Sequence, residues 1–196
     1  MKTKILLSTM AITIVMMSLV SCKGKNAPDS PSIIDAVCDM YGKSLSKAIS
    51  IAKDNGFSYI DRNENCAMGF EKEPTETDLP STELSMCAWE GDNVNAIGYM
   101  VRFKGNNGAS RITDFVKAIG ETRKVNGNTL KFSEGVDSDS EYYEDFNKFL
   151  QALAKTNSES SAVWKSNNTS IELSFDSQYS EDGYTYLTIQ IGGEEY

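Results

Sequence analysis

The 196-residue sequence contains no histidine. Histidine is the commonest general base and zinc ligand, so its absence excludes the Ser-His-Asp and Cys-His catalytic constellations and the usual zinc sites. The chain also contains no glycine-rich phosphate loop and no G-x-S-x-G motif. Catalysis would have to rely on a pair of carboxylates, as in glycosidases. The spacing of the 28 acidic residues singles out no such pair.

Positive charge is also scarce. Lys and Arg together number 19 against 28 Asp and Glu, which gives a net charge of −9. An acidic domain repels phosphate backbones, so nucleic acid is not an expected partner. We expect no cofactor and no metal from this composition.

Long apolar stretches are confined to one run of 16 residues, Ile5–Val20. This run is shorter than the roughly 20 residues that a helix needs to span a bilayer. It follows the basic start Met1–Lys4 and ends in small residues, which is typical of a secretory signal peptide. An uncleaved N-terminal membrane anchor is the alternative.

The end of this run carries a short motif, Leu19-Val20-Ser21-Cys22. It resembles the lipobox of bacterial lipoproteins, in which Leu, a permissive position and a small residue precede a Cys. The resemblance covers the first 22 residues only and implies that residues 1–21 are a lipoprotein signal peptide. It also implies that Cys22 is alkylated with a diacylglycerol and becomes the first residue of the mature chain. An ordinary signal peptide that happens to end near a Cys is the alternative.

The residues after Cys22 bear on location. In lipoproteins, Asp directly after the Cys favours retention in the inner membrane, whereas Lys23 stands here. The chain resembles small envelope lipoproteins of the Bacteroidetes type but lacks the acidic residues that often follow the Cys in their surface-exposed members. The resemblance therefore implies a lipid-anchored protein of the cell envelope, at the outer membrane and facing the periplasm.

Residues 22–32 have the composition of a flexible tether, since Lys23–Ser32 contains Gly, Asn, two Pro and two Ser with Ala27 as its single apolar residue. Removal of residues 1–21 would take away Lys2 and Lys4 and change the net charge from −9 to −11. The remainder is long enough to bury a stable core without staples.

Residues 33–196 are expected to form a single α+β domain, in which about three helices pack on a mainly antiparallel sheet. The first helix is capped by Ser32 and ends at Asn55-Gly56. Its apolar face is formed by Ile34, Val37, Cys38, Tyr41, Leu45, Ala48, Ile49 and Ala52. The second helix runs from a cap at Ser110 to Gly120, and the third takes Tyr142 to Leu153.

Alternating apolar residues and turn signals predict the strands, which are Phe57–Ile60, Cys66–Phe70, Leu84–Glu90, Val94–Phe103, Thr122–Val125, Asn128–Phe132, Ser161–Lys165, Thr169–Phe175 and Tyr184–Ile191. A two-residue turn at Gly91-Asp92 would place Met86 opposite Ile97. Both faces of this hairpin carry apolar groups, so both are expected to be covered. Asn126-Gly127 predicts a type I′ hairpin.

Two of these hairpins have similar sequences, Ala88–Val94 and Val163–Thr169, each with a Trp before the turn. The similarity permits a duplicated helix-plus-sheet unit that resembles the beta-lactamase-inhibitor-like periplasmic folds. Convergent turn chemistry is favoured, because the match is short and the upstream helices do not align. Trp89 and Trp164 are candidate stacking platforms for a sugar or peptide, although Trp in a hairpin is more often a core residue.

Cys38, Cys66 and Cys87 remain after Cys22. Three thiols allow at most one internal disulfide. We favour Cys66 with Cys87, because they lie in neighbouring predicted strands, and expect Cys38 to be a small buried hydrophobe.

The segment Asp137–Glu141 begins like an EF-hand loop. Tyr142 stands where the loop requires Gly and Lys148 where it requires Glu, so no calcium site is expected. The sequence as a whole favours an envelope-anchored binding or assembly module, whose partner is an envelope protein or a glycan. A small carboxylate-dependent periplasmic hydrolase is the alternative.

Overall fold

The computed structural model describes residues 27–89, 91–104, 108–137, 139–155, 159–176 and 183–193. These residues form four helices and ten strands, so the α+β class is confirmed. The sheet dominates the fold, and the expectation of about three helices is too low. The predicted signal peptide, residues 1–21, and Cys22 lie outside the described residues.

The helices are α1 (Ile33–Met40), α2 (Leu45–Asp54), α3 (Gly108–Ile119) and α4 (Phe146–Leu153). The strands are β1 (Tyr59–Arg62), β2 (Cys66–Phe70), β3 (Thr82–Cys87), β4 (Ala96–Lys104), β5 (Thr122–Val125), β6 (Asn128–Val136), β7 (Tyr142–Tyr143), β8 (Ser160–Ser166), β9 (Thr169–Asp176) and β10 (Tyr184–Gly192).

All strand pairs are antiparallel and belong to one sheet, in the order β1-β2-β3-β4-β10-β9-β8-β6-β5, with β7 paired to β6. The first four strands form a meander from the β1 edge towards the centre. The later strands approach the centre from the β5 edge, and the two series meet where β4 pairs with β10.

One face of the sheet holds the core. Its strand partners form rows across the sheet, for example Met86, Ile97, Ile191, Ile171 and Trp164, all buried. The helices pack on this face: the ring of Phe115 on α3 lies 6.3 Å from that of Tyr99, and Phe149 on α4 stacks on Phe132. We call this side the core face and the opposite side the outer face.

The long first helix predicted from the sequence is wrong, because the chain breaks it between Met40 and Leu45. Gly42 has φ +77°, and a Cβ there would lie 2.3 Å from the side chain of Asn126. Its N–H donates to the carbonyl of Val94 at 2.8 Å, and the Ser44 side chain then caps α2. Ser32 precedes α1 but makes no side-chain cap bond. The helical spacing of apolar residues continues across this turn in the sequence, so it could not reveal the break, which depends on contacts with Val94 and Asn126.

Two further helix boundaries differ from the prediction. Helix α3 begins at Gly108, so Ser110 lies inside its first turn and not at its cap. Tyr142 and Tyr143 form a short strand against β6, and α4 starts later, capped by the Asp145 side chain. A hydrogen-bonding partner was available on β6, and it outweighed the helical spacing of the aromatic residues.

All nine predicted strands are found, but β1 lies two residues later than predicted, β3 ends at Cys87 and β4 begins at Ala96. The predicted two-residue turn at Gly91-Asp92 does not close this hairpin, because Val94 pairs with Gly42 and Lys43 instead. Strands β2 and β5 have the predicted bounds, and the register Met86 opposite Ile97 is confirmed. Asn126 and Gly127 both have positive φ, 46° and 84°, as a type I′ turn requires.

The predicted tether is too long. Residues 27–32 are packed against the domain: the Tyr99 hydroxyl donates to the carbonyl of Pro28. Arg111 donates to the carbonyl of Asp29 at 3.0 Å and lies 3.6 Å from its carboxylate. The folded domain therefore begins at Ala27 or earlier. We call Ala27–Ser32 the N-terminal strap.

The expectation that both faces of the central hairpin are covered is met in part, because its outer-face residues, such as Ser85, Gly98 and Met100, are half-buried although no helix packs on them among the described residues. The helices pack on the core face, whereas Glu172 and Gln190 on the outer face are exposed. Among the described residues, no helix is both long and apolar enough to cross a bilayer.

Candidate functional site

The candidate site lies on the outer face, where two rows of residues cross the central strands. One row contains Cys66, Cys87, Ala96, Gly192, Ser170 and Lys165. The next row contains Met68, Ser85, Gly98, Gln190, Glu172 and Val163. Small residues thus occupy the middle of the first row, and in the second row Ser85 and Gly98 are followed by the larger Gln190 and Glu172.

A disulfide forms one end of the first row. Cys66 and Cys87 are directly opposite on β2 and β3, with Cα atoms 4.2 Å apart, and are joined as the sequence analysis favoured. The bond fixes β2 to β3 beside the small residues of β4.

Trp89 lies next to this disulfide, two residues after the end of β3. Its side chain is 56% exposed, while its backbone N–H donates to the Asn95 side-chain oxygen at 3.0 Å. The turn beyond it is held from the other side as well, since Val94 exchanges backbone hydrogen bonds of 2.8 Å with Gly42 and Lys43. The indole is therefore exposed on a fixed backbone.

Between these features the outer face forms an open depression of about 690 Å³. Its floor contains Ala96, Gly98 and Gly192. Trp89 lines one side, and Lys165, Glu172 and Gln190 line the other. The volume falls in the range of about 300–1,000 Å³ that is usual for small-molecule sites.

The two floor glycines have different explanations. A Cβ on Gly98 would lie 2.6 Å from the hydroxyl oxygen of Ser85, which itself donates to the Gly98 carbonyl at 3.3 Å. At Gly192, by contrast, an added Cβ would meet no described atom within 4 Å. Among the residues that the structure describes, none occupies the space next to Gly192.

Trp164, the other candidate stacking residue, does not belong to the site. It is fully buried on the core face, donates its indole N–H to the carbonyl of Gly120 at 2.7 Å and packs edge-on against Phe132. Its interpretation as a binding aromatic is therefore wrong. Since the two Trp residues point to opposite faces, the similarity of their hairpins adds no support for a duplicated unit.

Cys38 is a buried free thiol in α1. Desolvation raises its pKa above the ordinary value, and the neighbouring Arg123 guanidinium opposes this only in part. The burial of Cys38 agrees with its predicted role as a small buried residue, although its thiol also has the Arg123 guanidinium as a hydrogen-bonding partner.

The acidic segment that begins like an EF-hand is organised by its own hydrogen bonds. The buried carboxylate of Asp137 accepts from the N–H groups of Asp139 and Glu141, and the Tyr143 hydroxyl lies 2.8 Å from both Asp137 and Glu141. Desolvation raises the pKa of Asp137, but the hydrogen bonds outweigh it and the net shift is downward. The described residues contain no group of three or more His, Cys, Asp or Glu that could hold a metal ion.

This geometry bears on the hydrolase alternative. A glycosidase general acid needs a raised pKa. Asp137 and Glu71, the described carboxyl groups for which a clear shift is resolved, are both shifted downward because hydrogen bonds outweigh desolvation. Glu172 is the one acid among the described residues that line the depression. Neither Asp137 nor Glu71 lines the depression, so no pair of carboxylates is found among the described residues that line it.

Sequence reasoning missed most of the site. Lys165, Glu172 and Gln190 were placed in strands but not brought together, because their proximity depends on the pairing of β10 between β4 and β9, and Gly192 lay just beyond the predicted strand. The alternation in Tyr184–Ile191 does mark Gln190 as facing away from the core, which was the available signal.

Comparisons of the chain with protein-family models, with curated proteins and with solved structures yield no match.

Proposed function

We propose that this protein is a lipid-anchored module of the cell envelope that binds its partner through the outer face of the sheet. The observation that carries the proposal is the depression, in which exposed Trp89 faces a polar wall across a floor of small residues. An exposed aromatic beside unpaired polar groups in a concave surface is the usual composition of a binding site.

The proposal that the protein is lipid-anchored rests on the lipobox-like Leu19–Cys22. It also rests on the short distance that the chain can span between Cys22 and the folded domain. Five residue steps separate Cys22 from Ala27, so the chain between them spans at most about 18 Å. The N-terminal strap is held by Tyr99 and Arg111 on the helix side of the sheet. A lipid on Cys22 would then hold the helices on the core face towards the membrane. The depression on the outer face would point into the aqueous part of the envelope.

Anchoring is tested with the full chain, expressed with its own N-terminus in a Gram-negative host and labelled with radioactive palmitate. We expect label in the wild type and none in Cys22→Ser, which should also keep residues 1–21. Equal labelling of the two forms would contradict the proposal.

Binding is tested by crosslinking and isolation from membranes with three forms of the full chain. Gly192→Leu adds a large side chain to the floor of the depression at a position where a Cβ meets no described atom within 4 Å, and Ser174→Leu places the same side chain on the exposed outer face of β9 as a matched control. We expect an envelope component that is retained by the wild type and Ser174→Leu and lost from Gly192→Leu. Equal retention by all three would rule out the depression as the binding surface.

A further inference from the structure

We propose that the ligand of this depression is an uncharged saccharide, a short stretch of a glycan whose hydroxyl or acetamido groups meet the polar wall. This inference rests on the proposed binding function and specifies its ligand class. Three observations carry it: the open space above Gly192, the mixed charge of the wall, and the exposed ring of Trp89.

The first observation is a glycine without a structural reason. Gly192 lies between β4 and β9, opposite Ala96 and Ser170, and it is not among the residues with positive φ. Glycine in the middle of a strand costs about 0.5–1 kcal/mol relative to alanine, and Gly192 stands at the last position of β10. Since no described atom occupies the place of its Cβ, packing does not demand it. Glycines of this kind occur where a ligand approaches the backbone closely.

The second observation is the charge of the polar wall. Lys165, Glu172 and Gln190 are exposed and, within the described part of the chain, their side chains form no hydrogen bond or ion pair. An anion such as a phosphate or uronate would be repelled by Glu172, and a polycation would be repelled by Lys165. A ligand with many donors and acceptors and no net charge satisfies all three, because an ammonium donates, a carboxylate accepts and an amide does both.

The third observation is the position of Trp89. Its ring combines a large apolar face with a polar N–H, and the residue is 56% exposed. The C–H face of a pyranose ring is flat and weakly apolar, so it stacks on an indole while its hydroxyls point sideways. The backbone of Trp89 is fixed by Asn95, so little ordering is needed on binding.

The inference is tested with the full chain in a polyoxyethylene detergent, which carries no sugar headgroup. The probes are uncharged tetrasaccharides of glucose, mannose, galactose and N-acetylglucosamine, with tetragalacturonate and the deacetylated glucosamine tetramer as charged counterparts. We expect at least one uncharged probe to change the tryptophan emission and to give a calorimetric isotherm. We expect its charged counterpart to bind at least tenfold more weakly.

Variants assign the binding to the depression. Gly192→Leu and Trp89→Ala should each weaken the binding of the uncharged probe at least tenfold, as measured by calorimetry. Tyr142→Ala removes another exposed aromatic, 76% exposed and remote from the depression lining, and should leave binding unchanged. Circular dichroism melts establish that each variant is folded.

The outcomes separate this inference from the proposed function. If no uncharged probe binds, or if a charged one binds as well, the saccharide inference is overturned. The binding function still stands in that case when membrane crosslinking is lost from Gly192→Leu and kept by Ser174→Leu. If Gly192→Leu alters neither the membrane crosslinking nor the calorimetric binding of the saccharide, both proposals fail.

Discussion

Trp89 and Trp164 precede the turns of two hairpins with similar sequences, yet they lie on opposite faces of one sheet. Trp89 continues the outer-face alternation of β3, beside Cys87, whereas Trp164 belongs to a core row with Ile171. The same residue in the same local context is therefore a surface aromatic in one hairpin and a core residue in the other.

This relationship predicts unequal effects on stability. Trp164→Ala should lower the free energy of unfolding by about 3–5 kcal/mol, because it removes a fully buried ring. Its hydrogen bond to the Gly120 carbonyl would also be lost. Trp89→Ala should cost no more than about 0.5 kcal/mol. Urea unfolding followed by circular dichroism measures both, and equal losses would contradict the assignment of the two faces.

The disulfide predicts a thiol count and a stability change. Protein isolated from the envelope and denatured without reductant should show one free thiol, that of Cys38. This count assumes that Cys22 is lipidated. The Cys66→Ala/Cys87→Ala double variant should lose about 3 kcal/mol, since the bond closes a loop of 21 residues. Three free thiols in the wild type would refute the pairing.

Glu71 predicts part of the acid sensitivity of the fold. Its carboxylate accepts hydrogen bonds from the backbone and hydroxyl groups of Ser81 and Thr82, and so closes the loop between β2 and β3. Desolvation raises the pKa of Glu71, but the bonds from Thr82 and Ser81 outweigh it and lower the pKa overall.

The sign of the effect follows from that lowered pKa. The stabilisation is fully present above the unfolded-state pKa, about 4.3, and is lost as the pH falls through the lower folded-state value. Glu71→Gln should cost about 1–2 kcal/mol at pH 6–7, after allowance for partial exposure. The gap between wild type and variant should narrow below about pH 4 in urea titrations. If the difference in unfolding free energy between wild type and Glu71→Gln is constant with pH, the charge of Glu71 does not stabilise the fold. Glu73→Gln changes an exposed neighbouring carboxylate and is the matched control.

The N-terminal strap predicts a change in proteolysis. Tyr99→Phe removes the hydroxyl that donates to Pro28, and Arg111→Ala removes the contacts with Asp29. The double variant should be cut before Asp29 by endoproteinase Asp-N at least several-fold faster than the wild type. Lys117→Ala, elsewhere on α3, should leave the rate unchanged. If the double variant is cut no faster, the strap is not held by these two residues.

Local signals in the sequence were reliable where the interaction is local. Asn126-Gly127 defines its hairpin because few other residue pairs accept two positive φ values. The alternation in β3 and β4 was enough to place Met86 opposite Ile97. The pairing of Cys66 with Cys87 then follows from the adjacency of two strands.

The failures occur where a distant segment decided the outcome. Gly42 ends α1 because the turn near Val94 offers a backbone partner, and no periodicity within the helix reveals this. Pro28 and Asp29 have the composition of a tether, but a tyrosine and an arginine more than 70 residues away hold them.

The sequence alone determined the α+β class, most strands and the burial of Cys38, because these depend on local periodicity, turn chemistry and apolarity. It also supports the expectation of a lipid anchor at Cys22. Only the tertiary structure decided which face of the sheet stays open and which tryptophan stands on it. The order of strands across the sheet places Lys165, Glu172 and Gln190 opposite Trp89, although they are remote in the chain. Burial of the core face fixed which side chains each strand turns outward, since one face of the sheet had to carry the apolar residues of every strand.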